Sequence, residues 1–240
     1  MLARRDLVGE LMDDPALAAQ AHHVALRGLQ RINWISRTAA VLWPRIEHIL
    51  SSTPNTGASL LDVACGGGDI AVALAQRSRR RGLTLQVQGC DISDTALQHA
   101  SRIAASVGEP VKFFHADVTA EPLPRRYTFI TCSLFLHHLT DARIVTLLRT
   151  LAGCCDHLLV SDLIRGRTGY ALAWMGTKLL SRSPIVHEDG LRSVRAALTL
   201  QEARELASSA GLNDAHFERH WPQRFLMTWS RVQEALHGYE

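Results

Sequence analysis

The chain has 240 residues, a formal net charge of +3, a hydrophobic fraction of 47% and a charged fraction of 20%. These values describe a soluble globular protein of one ordinary-sized domain with a sizeable core. The small net charge argues against a nucleic-acid binder, which carries a concentrated basic face. Five cysteines at irregular spacing, including the adjacent Cys154 and Cys155, predict reduced core residues and no disulfide framework. No apolar stretch follows Met1–Asp6 as a signal peptide requires, and no uninterrupted apolar run of about 18 residues predicts a transmembrane helix, so a cytoplasmic location is expected.

Residues 1–50 carry helical periodicity. Asp14 is positioned as an N-cap and Pro15 in the first turn, and Val24, Ala25, Leu26, Leu29, Ile32 and Ile35 recur on one face. A second helix is predicted from Arg37 to Leu50, with Pro44 kinking it or opening a new one. His22, His23, Arg27, Arg31 and Asn33 form either a solvated face or part of a pocket wall. Residues 51–58 have linker composition. The predicted division is therefore an N-terminal helical cap over 1–54 and a second unit over 55–240.

An apolar strand, Ser59–Ala64, then runs into Gly66-Gly67-Gly68 and a helix from Ile70 to Arg77. Arg79, Arg80 and Arg81 follow as a solvated cationic helix end. Strand two is Thr84–Cys90 with Asp91 at its end, and Ser93-Asp94 opens a helix. Strand three is Val111–His115, followed by Asp117, and Glu121–Arg125 reads as loop. Strand four is Tyr127–Ser133, a helix covers Asp141–Ala152, and strand five is His157–Ser161 with Asp162 at its end. This βαβα alternation predicts a parallel sheet covered on both faces. An insert at 163–198 breaks it, with a helix over Tyr170–Leu180 and a loop over Ser181–Gly190. Thr199 and Glu202 form a capping box that opens a helix to Ala210, stopped at Gly211. Ala215–His220 and Arg224–Trp229 complete an antiparallel pair at the sheet edge.

Open α/β sheets bind ligands outside the carboxyl ends of their strands. Asp62, Asp91 and Asp117 sit at or near three such ends. A glycine turn between strand and helix, followed by an acid at the next strand end, fits a dinucleotide or S-adenosylmethionine. Asp69 puts a carboxylate where a pyrophosphate would lie, and the third glycine of the dinucleotide pattern is missing. A cofactor without phosphates fits better.

Asp62-Val63-Ala64-Cys65-Gly66-Gly67-Gly68 resembles the first motif of class I S-adenosylmethionine-dependent methyltransferases, with Ala64 in place of the usual first glycine. Ala116-Asp117-Val118 and Ser133–Asp141 resemble later segments of the same family. The resemblance implies a Rossmann-like, seven-stranded, mostly parallel sheet with helices on both faces, N-terminal helices and a helical insert after strand five forming a cap. It implies that Asp62, Ala64, Gly66 and Gly68 line the methionine moiety of S-adenosylmethionine, Asp91 with Ile92 the ribose, and Asp117 and Val118 the adenine, with Ser133 on the sulfonium side. S-Adenosylhomocysteine would be the product.

The N-terminal helices and the insert are similar to those of small bacterial members acting on phenolic or polyketide-like metabolites. A phenol, with a pKa of roughly 10, reacts faster when a base removes its proton, and histidine at roughly 6.5 is suited to that task. His137, His138 and His187 are the candidate bases, and Asp162 is a further pocket candidate. No carboxylate cluster points to a metal. Ser133-Leu134-Phe135 lacks the proline-proline-aromatic motif of amino-methylating relatives, which disfavours nucleobase nitrogen as acceptor. Leu172, Trp174, Met175, Leu179 and Leu180 make the insert apolar, suiting a hydrophobic acceptor, plain packing, or, with Arg165, Arg167, Lys178 and Arg182, a membrane surface. The leading expectation is O-methylation of a phenolic hydroxyl in secondary metabolism by a monomer or homodimer. C-methylation of a quinone or aromatic ring, and S-adenosylmethionine binding without catalysis, are the alternatives.

Overall fold

A computed structural model of the protein describes residues 2–13, 17–52 and 57–231. The predicted cap at Asp14-Pro15 and half of the predicted linker lie outside these residues. Among them are seven strands and eight α-helices. The strands are β1 (Ala58–Val63), β2 (Leu85–Asp91), β3 (Lys112–His115), β4 (Tyr127–Ser133), β5 (Cys155–Leu163), β6 (His216–His220) and β7 (Arg224–Ser230). They form one sheet in the order β3-β2-β1-β4-β5-β7-β6. All neighbours pair parallel except β7, which runs antiparallel to both β5 and β6. The predicted seven-stranded, mostly parallel sheet is thus the observed one. Central strands β1 and β4 are buried over nearly their whole length, and Leu60, Leu61, Val63, Phe129, Ile130 and Cys132 fill the core on their two faces.

Helices α1 (Ala19–Ile35), α2 (Thr38–Ser52) and α3 (Asp69–Arg80) precede β2 in the chain, with β1 between α2 and α3. Pro44 lies inside α2, which runs through it unbroken, so no new helix opens there. Leu42, Trp43 and Ile46 of α2 pack with Ile70, Ala71 and Leu74 of α3 on one sheet face. The opposite face is covered by α5 (Asp141–Gly153) and α8 (Leu200–Ser209), through Ile144, Leu147, Leu148, Leu151, Ala203 and Ala207. Helix α4 (Asp94–Ser106) starts at Ser93, whose side chain accepts from the Ala96 N–H. The Thr199–Glu202 capping box forms at the start of α8 as predicted.

The insert folds as two helices, α6 (Arg167–Leu180) and α7 (Pro184–Ala196). The predicted loop Ser181–Gly190 is therefore wrong over most of its length. Pro184 occupies the first turn of α7, where a missing N–H costs nothing, so this proline opens a helix. Val186 and Val194 bury its apolar side. Arg165, read from sequence as a flanking surface cation, is buried and donates to both Glu202 carboxylate oxygens at 2.7 and 2.9 Å. All five cysteines are unpaired. No described helix is long and apolar enough to cross a membrane.

Candidate active site

The chain leaves β1 through a turn that only small residues can make. Ala64, Gly66 and Gly68 have φ values of +52°, +51° and +73°. A Cβ on Gly66 would meet nothing within 4 Å, and Gly66 borders a large cavity. A Cβ on Gly68 would lie 2.6 Å from the Ala100 Cβ and 2.8 Å from the Phe113 ring. Gly68 is thus needed for close packing of the turn against α4 and β3, while Gly66 leaves backbone open to a ligand.

Asp91 ties the turn to the next strand. Its Oδ2 accepts from the Gly66 N–H at 2.8 Å and its Oδ1 from the Ser93 N–H at 2.9 Å. Asp117 Oδ1 accepts from the Thr119 N–H at 2.9 Å and the Thr119 hydroxyl at 2.7 Å, and that hydroxyl leads the effects holding its carboxyl below the ordinary range. Asp62 is 1% exposed. Its Oδ1 accepts from the Thr131 hydroxyl at 2.7 Å, while its Oδ2 has no hydrogen-bond partner. Burial pushes this carboxyl up to about 7, with the Asp69 and Asp91 charges adding to the rise. The buried Ser133 hydroxyl is likewise without a partner.

The cavity has a volume of about 1140 Å³. Drug-sized ligand pockets run to roughly 1,000 Å³, so this one has room for a cofactor and an acceptor together. Of the sequence-predicted cofactor residues, Ala64, Gly66, Asp91, Ile92, Asp117 and Val118 line it. Asp62, Gly68 and Ser133 are not on its wall. Helix α1 contributes Leu26, Leu29 and Asn33, so its polar residues are not all solvated. The insert contributes Leu172, Met175, Leu179 and Leu180. Trp174 is not on the wall; the Lys178 ammonium lies 4.6 Å from its ring centre.

The histidines separate clearly. A 3-10 turn over Leu136–His138 follows β4 and presents His137 and His138 to the cavity. His137 is 4% exposed, and its Nδ1 lies 2.7 Å from Asp162 Oδ1. Asp162 Oδ2 accepts from the His137 backbone N–H at 3.3 Å, so the carboxylate fixes both ring and turn. The other ring nitrogen, Nε2, lies 3.4 Å from Glu10 Oε1. Burial alone would lower the affinity of this imidazole for its proton, but the Asp162 and Glu10 carboxylates reverse that and raise it to about 10. Burial would raise Asp162, and the His137 charge holds it below the ordinary range. His138 Nε2 is 3.9 Å from the same Glu10 oxygen, and the two imidazole rings are 4.4 Å apart. His187 is on α7 with Nε2 2.8 Å from the Ser181 carbonyl oxygen, and it does not line the cavity.

Two site residues escaped the sequence reading. Glu10 belongs to the N-terminal strap, held by the Arg5 guanidinium on the Leu139 carbonyl and by the Leu11 and Met12 N–H groups on the Asp189 carboxylate. Arg224, read only as the start of a strand, is buried and lines the cavity. Neither carries a local pattern; each becomes legible only through its neighbours in space. Among the described residues, Glu10, His137 and His138 bring three metal-ligand-type atoms within 4.8 Å of one another.

Known proteins place this geometry. A family model described as a methyltransferase domain matches residues 60–157, from β1 into β5. The chain is 29% identical over 177 residues to the ubiquinone biosynthesis O-methyltransferase of Ralstonia nicotianae, covering 71% of this chain and 69% of that one. Among solved structures, a magnesium protoporphyrin IX methyltransferase from Synechocystis with bound S-adenosylhomocysteine superposes with a TM-score of 0.57 at 17% identity, covering 92% and 91% of the two chains. An O-methyltransferase structure from Nostoc punctiforme gives a TM-score of 0.62 at 16% identity; this chain spans 88% of itself and 61% of that protein. The match over residues 60–157, together with the sheet order and the glycine turn with its acidic strand ends, makes this part of the chain a methyltransferase domain. Its methyl donor is S-adenosylmethionine.

Proposed function

We propose that this enzyme methylates the phenolic hydroxyl of a small hydrophobic aromatic acceptor, in the cytoplasm. The observation that carries the reading is His137 on the cavity wall, paired with the buried Asp162 behind it and sharing the cavity with the apolar side chains of the insert. A base beside the acceptor oxygen removes its proton and makes it a better nucleophile toward the methyl. Relatives named ubiquinone biosynthesis O-methyltransferase support the same reading.

The bound donor supplies a methyl on a positive sulfur, which leaves as a neutral thioether. The Asp91 carboxylate would hydrogen-bond the ribose hydroxyls and Asp117 and Val118 would hold the adenine, while the buried Asp62 carboxylate and Ser133 hydroxyl would stand behind the cavity wall at the amino-acid end. Helices α1, α6 and α7 act as a cap that seats the acceptor in line behind the methyl, about 3 Å from it. In the free protein His137 carries its proton, clamped between two carboxylates. The acceptor hydroxyl takes the position of Glu10 on Nε2. The displaced Glu10 carboxylate takes the Nε2 proton with it as a neutral acid, and the neutral imidazole left behind is the base. Asp162 keeps Nδ1 protonated, so Nε2 is the nitrogen that receives the phenol proton.

The test is an acceptor panel of phenols, their methyl ethers and quinones, read by mass spectrometry for gain of one methyl. Free phenols are expected to react and methyl ethers to be inert. Reaction of both alike would sink the O-directed reading, and turnover of none, with the donor bound, would favour a non-catalytic binder.

Asp62 adds a pH signature. A carboxyl raised to about 7 is protonated in the free site below that value and charged above it. Only the charged form attracts the donor's ammonium. Donor affinity is therefore expected to rise with pH through about 7 and then level off, up to tenfold per unit. Calorimetry across this range checks it, and Asp62→Asn should flatten the curve. An unchanged curve in that variant would remove Asp62 from the donor site.

A further inference from the structure

Arg224 opens β7 opposite Leu163, at the ligand-binding edge of the sheet. It is 2% exposed, yet it lines the cavity. Its Nη1 donates to the Thr38 hydroxyl, and its Nε is buried with no partner. No ion pair joins it to any described carboxylate. Asp162 is held by His137 and the Leu163 N–H, and Asp69, first residue of α3, is hydrogen-bonded to Asn33. Both act on Arg224 only through longer-range charge. A buried cation without a direct counter-ion costs several kcal/mol. A guanidinium offers five N–H donors in a rigid fork matched to a planar carboxylate.

The position of this fork says which carboxylate. Along β7, Phe225 and Met227 pack on the α5/α8 side, and Leu226 on the α2/α3 side. Alternation puts Arg224 with Leu226, on the face where α3 leaves the glycine turn. The strand order is β3-β2-β1-β4-β5-β7. A donor with adenine at β3 and ribose at β2 extends its amino-acid end across β1 toward β4, β5 and β7. We propose that Arg224 is the carboxylate-binding residue of this cavity, and that it takes the carboxylate at the methionine end of the donor. The choice of end rests on the donor orientation set by Asp91 and Asp117.

The test compares S-adenosylhomocysteine with its decarboxylated analogue, which keeps the adenosine half and the amine. In the wild-type enzyme, decarboxylation is expected to weaken binding by about 10- to 100-fold, the worth of a charge-assisted pair. In Arg224→Met both compounds should bind alike, at the affinity of the analogue for wild type. In Arg224→Lys, which keeps the charge and loses the fork, the ratio should shrink but not vanish. Should Arg224→Met not fold, the wild-type and Arg224→Lys ratios decide alone. A wild-type enzyme indifferent to decarboxylation, or a ratio unchanged in Arg224→Lys, would overturn the proposal. So would a variant whose only defect is a raised KM for carboxylated phenols, since the fork would then read the acceptor. The analogue's own binding reports on the adenosine site independently, so a misplaced ribose or adenine contact is told apart from a wrong role for Arg224.

Discussion

Replacing His137 by glutamine is expected to lower kcat about 100- to 10,000-fold, the usual worth of a positioned general base. It is also expected to destabilise the fold by about 3–5 kcal/mol, because Asp162 is left buried without its cation. The two effects separate in the double variant His137→Gln/Asp162→Asn. A neutral amide pair removes the orphaned charge, so much of the lost stability should return while kcat stays low. Donor affinity should stay near wild type in both proteins, since neither residue is assigned to the donor. Recovery of activity together with stability would show that the pair only supports the fold. The wild-type pair also has a pH signature. His137 is raised above its ordinary value, so its stabilisation is complete below about pH 6.5 and is lost as pH rises through about 10. Asp162 is lowered, so its share is present above the ordinary carboxylate range and fades as pH falls below it. Urea unfolding across this range reads both limbs, and both should be absent in the double variant.

Gly68→Ala is expected to have the second large effect. At φ +73° an alanine costs about 1–2 kcal/mol. Its Cβ would also meet the Ala100 Cβ at 2.6 Å and the Phe113 ring at 2.8 Å, and overpacking of this kind costs about 1–3 kcal/mol. A total of roughly 3 kcal/mol, with displacement of the turn and a matching loss of donor binding, is the expected outcome. Gly66→Ala is the contrast. Its φ of +51° carries the same backbone cost, but its Cβ enters open space. That variant should lose only about 1–2 kcal/mol of stability, with donor affinity reduced because the methyl projects into the cavity. Chemical denaturation and calorimetry with S-adenosylhomocysteine check both. Equal stability in the two variants would mean that Gly68 has no packing role.

Six of the nine residues expected to hold the donor line the cavity, and they were legible because they are short-range signals. A strand, a glycine turn and an acid at the next strand end are close in sequence, so Gly66 and Asp91 could be paired before the Gly66 N–H was found on the Asp91 carboxylate. Strand boundaries were readable for the same reason, since burial on both faces writes itself as an apolar run in β1 and β4. The acceptor half was not. Its contacts join the N-terminal strap, the turn after β4 and the end of β5, which only the completed sheet brings together. His137 and His138 are adjacent in sequence, yet only His137 meets Asp162, and which ring does so depends on the side-chain directions of a 3-10 turn. His187 looked equivalent by composition, but its imidazole faces the Ser181 carbonyl. Pro184 was read as a loop residue because a proline at the first turn of a helix and a proline in a loop look alike locally.

The central claim is that the methyl goes to a phenolic oxygen beside His137. The most direct measurement uses the wild-type enzyme, S-adenosylmethionine carrying a carbon-13 methyl, and the best phenol from the panel, with the product read by carbon NMR. The account predicts a labelled carbon bonded to oxygen, formed at the same rate at which S-adenosylhomocysteine appears. A labelled carbon on the ring, or donor bound with no labelled product from any phenol, would contradict it.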